Sequence, residues 1–356
     1  GYPADKVVLD MMREIHRYFE FPKQNKMAVG LGGGHSGFTV AVLHLMNTES
    51  GFNVFVDTPR PESDSAKHGG AFRQSWGVQL IELQKYAEKG DESRIHFNST
   101  EGHIPTANEL QKLGIKLFVG VGHETTGATT YAEEDVRNLL EWIDLDPENH
   151  HAVIDATSTL GAMPWAEDIV QQVVGRCSLF MPFQKAIGGT AGYFIVSFTP
   201  EALVLVEKNV NNPAWAIPRQ LKLALPTDGQ LPITGKKSLA AGPFYDPQKE
   251  QMIGGIINTF STIAFAETTF GLLNSEKKVG SVSELNKRSI VNRAEVEQWV
   301  TEHPLFAFGV QDSSRRGAAV TLLKVNDTDV NDTEQHARII AKTKYLLGFE
   351  GLTHPN

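Results

Sequence analysis

Short apolar runs of strand length alternate with helix-length amphipathic segments through the first two hundred residues, and this alternation limits the fold more than any other feature. Val8, Met11, Met12, Ile15 and Phe19 stand at helical spacing within residues 5–20, and Pro22 follows. Met27–Leu31 reads as a buried strand, Gly32–Gly37 as a glycine cluster, Phe38–Met46 as an apolar helix and Phe52–Val56 as a second strand. Further helices are predicted near 66–76, 106–113 and 132–143, with strands near 78–82, 117–121, 151–154, 178–182 and 192–198. Strands alternating with helices predict an α/β fold whose doubly wound, mostly parallel sheet is covered on both faces.

The texture changes near Asn211, where a stretch rich in Pro, Gly and Lys runs to about residue 250. Long segments without regular structure are usually functional or disordered. A helical region is predicted from Met252 to Leu273, then a helix from about 281, strands near 305–310 and 318–324, and a helix at 333–346. A chain of 356 residues suits two domains at roughly 100–200 residues each. The reading is a large domain over 1–260, including the 211–250 excursion, and a small C-terminal α+β domain over 261–356.

Charge and cysteine content narrow the setting. A net charge of -9 without a lysine- or arginine-rich run argues against nucleic acid as a partner. No apolar stretch approaches the ~18 residues of a membrane span, and Gly1–Asp5 shows no signal-peptide pattern. Cys177, alone and inside an apolar run, reads as a core residue of a protein in a reducing, cytoplasmic setting. The histidines His35, His44, His68 and His123 show no metal-ligand spacing, so no metal is expected.

Two constellations carry chemistry. The first is strand, glycine loop, helix at residues 27–46. Glycines let the backbone approach a phosphate, and a helix N-terminus offers free amides and a partial positive charge. Gly32-x-Gly34-x-x-Gly37 also matches the dinucleotide fingerprint, with Asp57 about twenty residues on, so a Rossmann NAD-dependent oxidoreductase is a competing reading. The second is His151–Asp155, a hydrophobic strand ending in an acid, followed thirty residues later by Lys185 in an apolar run before Gly188-Gly189. A desolvated lysine suits Schiff-base chemistry, and an acid against a pyridine nitrogen suits an electron-sink cofactor. Arg315-Arg316, before the strand near 318–324, read as solvated rather than as facing a site.

At these residues the chain resembles the phosphoserine aminotransferase family, class V aminotransferases of fold type I that use pyridoxal 5'-phosphate (PLP). Gly32–Phe38 is similar to its phosphate loop, His123–Gly127 to its NETxxG, Asp155–Ser158 to its DATS, Gln184-Lys185 with Gly188-Gly189 to its QKxxGxxG, and Asn258-Thr259 to its NTPPT. The resemblance implies a Schiff base at Lys185, Asp155 on the pyridinium nitrogen and Thr125 on the ring's phenolic oxygen. Gly34, His35 and Ser36 of the loop, with Thr157 and Gln184, would hold the phosphate. Asn258 and Thr259 would reach the partner's phosphate in a homodimer with shared sites. It further implies ping-pong transamination between an amino acid and a 2-oxo acid, phosphoserine with 2-oxoglutarate, in serine biosynthesis. Lyase or desulfurase chemistry, another amino-acid substrate, or a non-catalytic role would suit a divergent relative.

The chain also departs from the family. Its loop arginine is His35 here, and its ring-stacking aromatic has no counterpart in Pro61–Lys67, leaving Phe72 or Trp76, each of which reads more simply as core. The family's His-Arg substrate loop and C-terminal carboxylate-binding arginine would fall before Gly1 and after Asn356.

Overall fold

The computed structural model describes residues 3–46, 51–58, 76–83, 94–98, 102–212, 215, 217–218, 221–223, 244–253, 260–325 and 333–349. Helix α1 (Pro3–Tyr18) precedes β1 (Lys26–Leu31), and α2 (Gly34–Leu45) precedes β2 (Asn53–Val56). Helix α3 covers residues 76–83. Strand β3 (Ile95–Phe97), α4 (Ala107–Lys112), β4 (Ile115–Val121) and the short hairpin β5 (His123–Glu124) and β6 (Thr129–Thr130) follow. Next come α5 (Glu133–Leu145), β7 (His151–Asp155), α6 (Glu167–Arg176), β8 (Ser178–Pro182), β9 (Tyr193–Phe198) and α7 (Pro200–Val210). The chain closes with β10 (Phe244–Asp246), β11 (Gln251–Ile253), α8 (Thr262–Val279), α9 (Val282–Glu302), β12 (Phe306–Phe308), β13 (Leu323–Val325) and α10 (Thr333–Phe349).

Nine strands form one sheet in the order β11-β10-β1-β9-β8-β7-β4-β2-β3. The pairs from β8 to β3 are parallel, whereas β9 is antiparallel to both β8 and β1, so the sheet is mixed. Because β1 and β8 both oppose β9, they run the same way. The C-terminal ends of β1, β2, β4, β7 and β8 therefore share one edge, where open α/β sheets place ligands. Every residue of β7 and β8 is buried, which explains their near-continuous apolar sequences. Alternate residues feed two cores: Phe118 and Ile154 pack with Met11, Ile15, Trp142 and Phe265 on one face, and Leu117 and Val153 with Phe38, Val42 and Val206 on the other. Cys177 is buried, and its thiol is pushed up to about 12 by burial. Among the described residues, no helix is long and apolar enough to cross a membrane.

Local signals explain several boundaries. Thr106 accepts from the Glu109 amide, and the Glu109 carboxylate accepts from the Thr106 amide at 2.9 Å, a reciprocal cap that starts α4. Thr199 caps α7 with Pro200 in its first turn.

Three expectations are corrected. Residues 78–82 are helix, not strand: Trp76, Gly77, Leu80 and Ile81 are buried while Val78 and Glu82 face out, a helical rather than a two-residue period. Gln251–Ile253 is a strand that extends the sheet through β10, so the helix begins only at Thr262, capped by Ser261. Arg315 is not solvated. Its guanidinium is buried and binds Asp135, the Gly102 carbonyl and His103. Arg316 lies 3.8 Å from the centroid of the Phe308 ring and pairs with Glu297 at 3.2 Å.

The Arg315–Asp135 pair joins the C-terminal segment to α5, and Asp135 also accepts the amides of Ile104 and Ala132 at 3.0 and 3.2 Å. Removing one member strands a buried charge. Asp135→Ala is expected to cost about 3–5 kcal/mol in urea unfolding; a loss below about 1 kcal/mol contradicts this description of the pair.

Candidate active site

Strand β1 ends in a turn that only a glycine tolerates well. Gly32 has φ +118°, its amide donates to the Gly192 carbonyl at 2.7 Å, and the Ser36 side chain fills the space a Cβ would need. Helix α2 then begins at Gly34 with Gly33 as its N-cap, and no side chain caps its free amides. A Cβ at Gly33 would lie 3.8 Å from Gln184 Nε2, and one at Gly34 would lie 3.8 Å from Thr157 Oγ1. The Thr157 hydroxyl oxygen is buried and faces the Asp155 carboxylate without closing a hydrogen bond to it. Bare amides, a carboxamide and an unsatisfied hydroxyl thus converge on one small volume. This donor set suits a phosphate or another compact anion.

Asp155 stands beside this cradle, at the C-terminal end of β7. Its carboxylate accepts from the Thr157 amide at 2.9 Å. Burial pushes the carboxyl up to about 6, while the Thr157 side chain and amide, the Trp76 indole and the Lys185 charge pull the other way. The Trp76 N–H faces the carboxylate without closing a hydrogen bond. Trp76 also stacks on Phe38, with ring centroids 4.5 Å apart and planes at 11°. The core role expected for Trp76 is therefore correct but incomplete, since one edge of the ring borders the site.

Lys185 follows β8 in a π-helical turn, Phe183–Ile187, that breaks at Lys185 itself (φ −116°, ψ −117°) and ends at left-handed Gly188. The turn aims Phe183 and Ile187 into the core and leaves Gln184 and Lys185 exposed. The expectation of a desolvated lysine is thus corrected: the apolar neighbours are buried, and the lysine is not. Its charge nevertheless acts on Asp155.

The other predicted positions scatter less than their sequence separation suggests. Gly34, His35 and Ser36 form the first turn of α2, with Thr157 and Gln184 across from them. Thr125 is half-buried on the β5–β6 hairpin, beyond the end of β4; Val121 in that strand is in register with Asp155. Asn258, Thr259, Phe72, His68 and Pro61–Lys67 lie outside the described residues. His44 is a core residue: its Nδ1–H donates to the Val40 carbonyl at 2.6 Å, its Nε2 accepts from the Leu223 amide at 2.9 Å, and burial lowers it to about 4. Among the described residues, no group of three His, Cys, Asp or Glu side chains is arranged for a metal.

Asp57 decides against the dinucleotide reading. It accepts from the Tyr131 hydroxyl at 2.6 Å, the Asn98 amide at 3.0 Å and the Gly102 backbone at 3.2 Å. A buried carboxylate so engaged is a structural hub, not a ribose ligand. Sequence reasoning also missed Gln79 on α3, whose carboxamide bonds His35 at 2.7 Å; the misread strand hid it.

No family model matches the sequence, and no curated protein matches it. Solved structures do match along nearly the whole chain. Pyridoxamine–pyruvate aminotransferase from Mesorhizobium loti aligns at TM-score 0.65 and 11% identity, over 96% of this chain and 74% of its own. Alanine–glyoxylate aminotransferase from Nostoc sp. aligns at 0.63 and 14%, over 94% and 75%. PLP-bound phosphoserine aminotransferase from Trichomonas vaginalis aligns at 0.61 and 13%, over 98% and 79%. The fold is that of the fold-type-I, PLP-dependent aminotransferases. In this fold-type-I chain the cradle, Asp155 and Lys185 occupy the shared edge of the sheet.

A carboxyl whose folded value is raised stabilises below the unfolded value and loses that contribution as pH rises through the folded one. For Asp155 the window runs from 3.8 to about 6. In cofactor-free protein, Asp155→Asn is expected to be more stable than wild type above that window, by up to about 3 kcal/mol, and equally stable below it. Urea unfolding at stepped pH checks this, and a gap that does not vary with pH contradicts it.

Proposed function

We propose that the chain is a PLP-dependent aminotransferase, with phosphoserine and 2-oxoglutarate as its substrate pair. The observation that carries the reading is the convergence of an anion cradle, a buried carboxylate and a lysine on one edge of a fold-type-I sheet. The residues fit the cofactor's three recognisable parts: phosphate, ring nitrogen and aldehyde. When bound, PLP supplies a conjugated ring that accepts electrons from a carbon losing its proton.

The chain's own residues do the rest. The first-turn amides of α2, Thr157 Oγ1 and Gln184 Nε2 bind the phosphate and fix the ring's position. Asp155 holds a proton against the ring nitrogen, and its buried setting makes that charge-assisted contact strong. Lys185 would hold the cofactor's aldehyde carbon through its Nζ, and the same atom would serve as the base for the substrate's α-proton. Thr125 orients the ring from the hairpin. Trp76 borders the pocket and helps keep water from Asp155.

The remaining parts of the reading are proposals of the same kind. A homodimer with shared sites is supported by the apolar outer face of α8, where Ile263 and Phe270 are both more than 70% exposed; Asn258 and Thr259 would complete the partner's site. Division into 1–260 and 261–356, a cytoplasmic setting and a role in serine biosynthesis belong with it. Phosphoserine as substrate rests on the motif resemblance and on neighbours that bear that name.

Adding PLP to purified protein is expected to give a visible band, and borohydride reduction should fix the cofactor on the peptide containing Lys185. Lys185→Ala should lose both. A band that survives in Lys185→Ala overturns the assignment. With phosphoserine and 2-oxoglutarate, wild type should form glutamate; turnover only with alanine and glyoxylate would keep the reaction class and replace the substrate.

A further inference from the structure

Helix α3 delivers two side chains, three residues apart, to the start of α2. Trp76 meets the His35 ring edge-to-face, with centroids 4.7 Å apart and planes at 67°. One turn on, Gln79 Nε2 lies 2.7 Å from His35 Nδ1. Thr39, on α2, has one hydroxyl hydrogen within reach of two acceptors, the His35 carbonyl at 3.0 Å and Gln79 Oε1 at 3.4 Å. With the carboxamide in this orientation, Gln79 Nε2 has only hydrogens to offer, which makes His35 Nδ1 the acceptor and leaves the ring hydrogen to Nε2. The ring is exposed, and Nε2 makes no hydrogen bond among the described residues.

We infer that Gln79 is a positioning residue that sets the His35 tautomer, so that Nε2–H is offered as a donor to an anionic oxygen seated at the first turn of α2. The inference rests on the cradle reading above and goes beyond it, because it gives His35 a defined donor atom and assigns that choice to a residue outside the loop. His35 then meets the ligand as a directional N–H, which recognises a phosphate or carboxylate oxygen by geometry.

Nuclear magnetic resonance of cofactor-free protein labelled with 15N-histidine reads the tautomer without any ligand, with His35→Gln assigning the signal. Wild type should show the Nε2–H form, and Gln79→Leu a mixture. Calorimetric titration with inorganic phosphate supplies the second readout. Gln79→Leu should weaken binding roughly tenfold, as for a lost hydrogen bond to a charged group. His35→Gln should weaken it similarly, and the double variant no further. An Nδ1–H tautomer in wild type, or an equal effect of Gln79→Leu with His35 absent, overturns the inference. Wild type that binds no phosphate overturns the cradle reading and this inference together; wild type that binds normally while Gln79→Leu binds equally well overturns this one alone.

Discussion

A carboxylate buried at the end of a central strand is the constraint around which this site is built. Asp155 has given up water, and among the described residues the Thr157 amide is the one donor that closes a hydrogen bond to it. Burying a charge without a bonded cation is costly, and the protein reduces that cost by letting the carboxyl rise toward neutrality. A ligand that brings an N–H cation to this spot relieves the cost, which gives the pocket a preference before any shape is considered. Lys185 adds a diffuse attraction from the exposed turn after β8, and the Trp76 N–H faces the carboxylate from α3.

The remaining geometry follows from placing an anion cradle next to that carboxylate. β1 must end in a turn sharp enough to aim α2's amides at the pocket, hence Gly32 at positive φ. The β8–β9 connection must present Gln184 and Lys185 without burying them, hence the π turn stopped by Gly188. The two loops are locked together where the Gly32 amide meets the Gly192 carbonyl, and Thr190 bonds Glu267 of α8 at 2.9 Å. Opposite charge preferences thus sit side by side: bare donors that suit a compact anion, and a buried acceptor.

Much of this was legible in the sequence because the chemistry coincides with strand ends. Asp155 ends a fully buried strand, and the glycine loop follows β1, whose Met27, Ala28 and Val29 are buried; such apolar runs are hard to mistake. The turn after β8 was legible from its lysine and glycines but not in its exposure: Phe183 and Ile187 made Lys185 look buried, when only the first and last residues of the turn face inward. Helix α3 was misread because Val78, Leu80 and Ile81 imitate a strand over five residues, and the deciding burial of Trp76 and Gly77 lies just outside that window. Arg315 looked solvated because its partners, Asp135 and Gly102, are some two hundred residues away. Asp57 matched a dinucleotide motif by spacing alone, and only the Tyr131, Asn98 and Gly102 contacts show what it does.

The most direct test of this account is a crystal structure of the protein soaked with PLP. The account predicts the phosphate among the Gly33–His35 amides, Thr157 and Gln184, the ring nitrogen within hydrogen-bond distance of Asp155, and continuous density to Lys185 Nζ. A cofactor seated elsewhere, or one whose ring nitrogen faces away from Asp155, would contradict it.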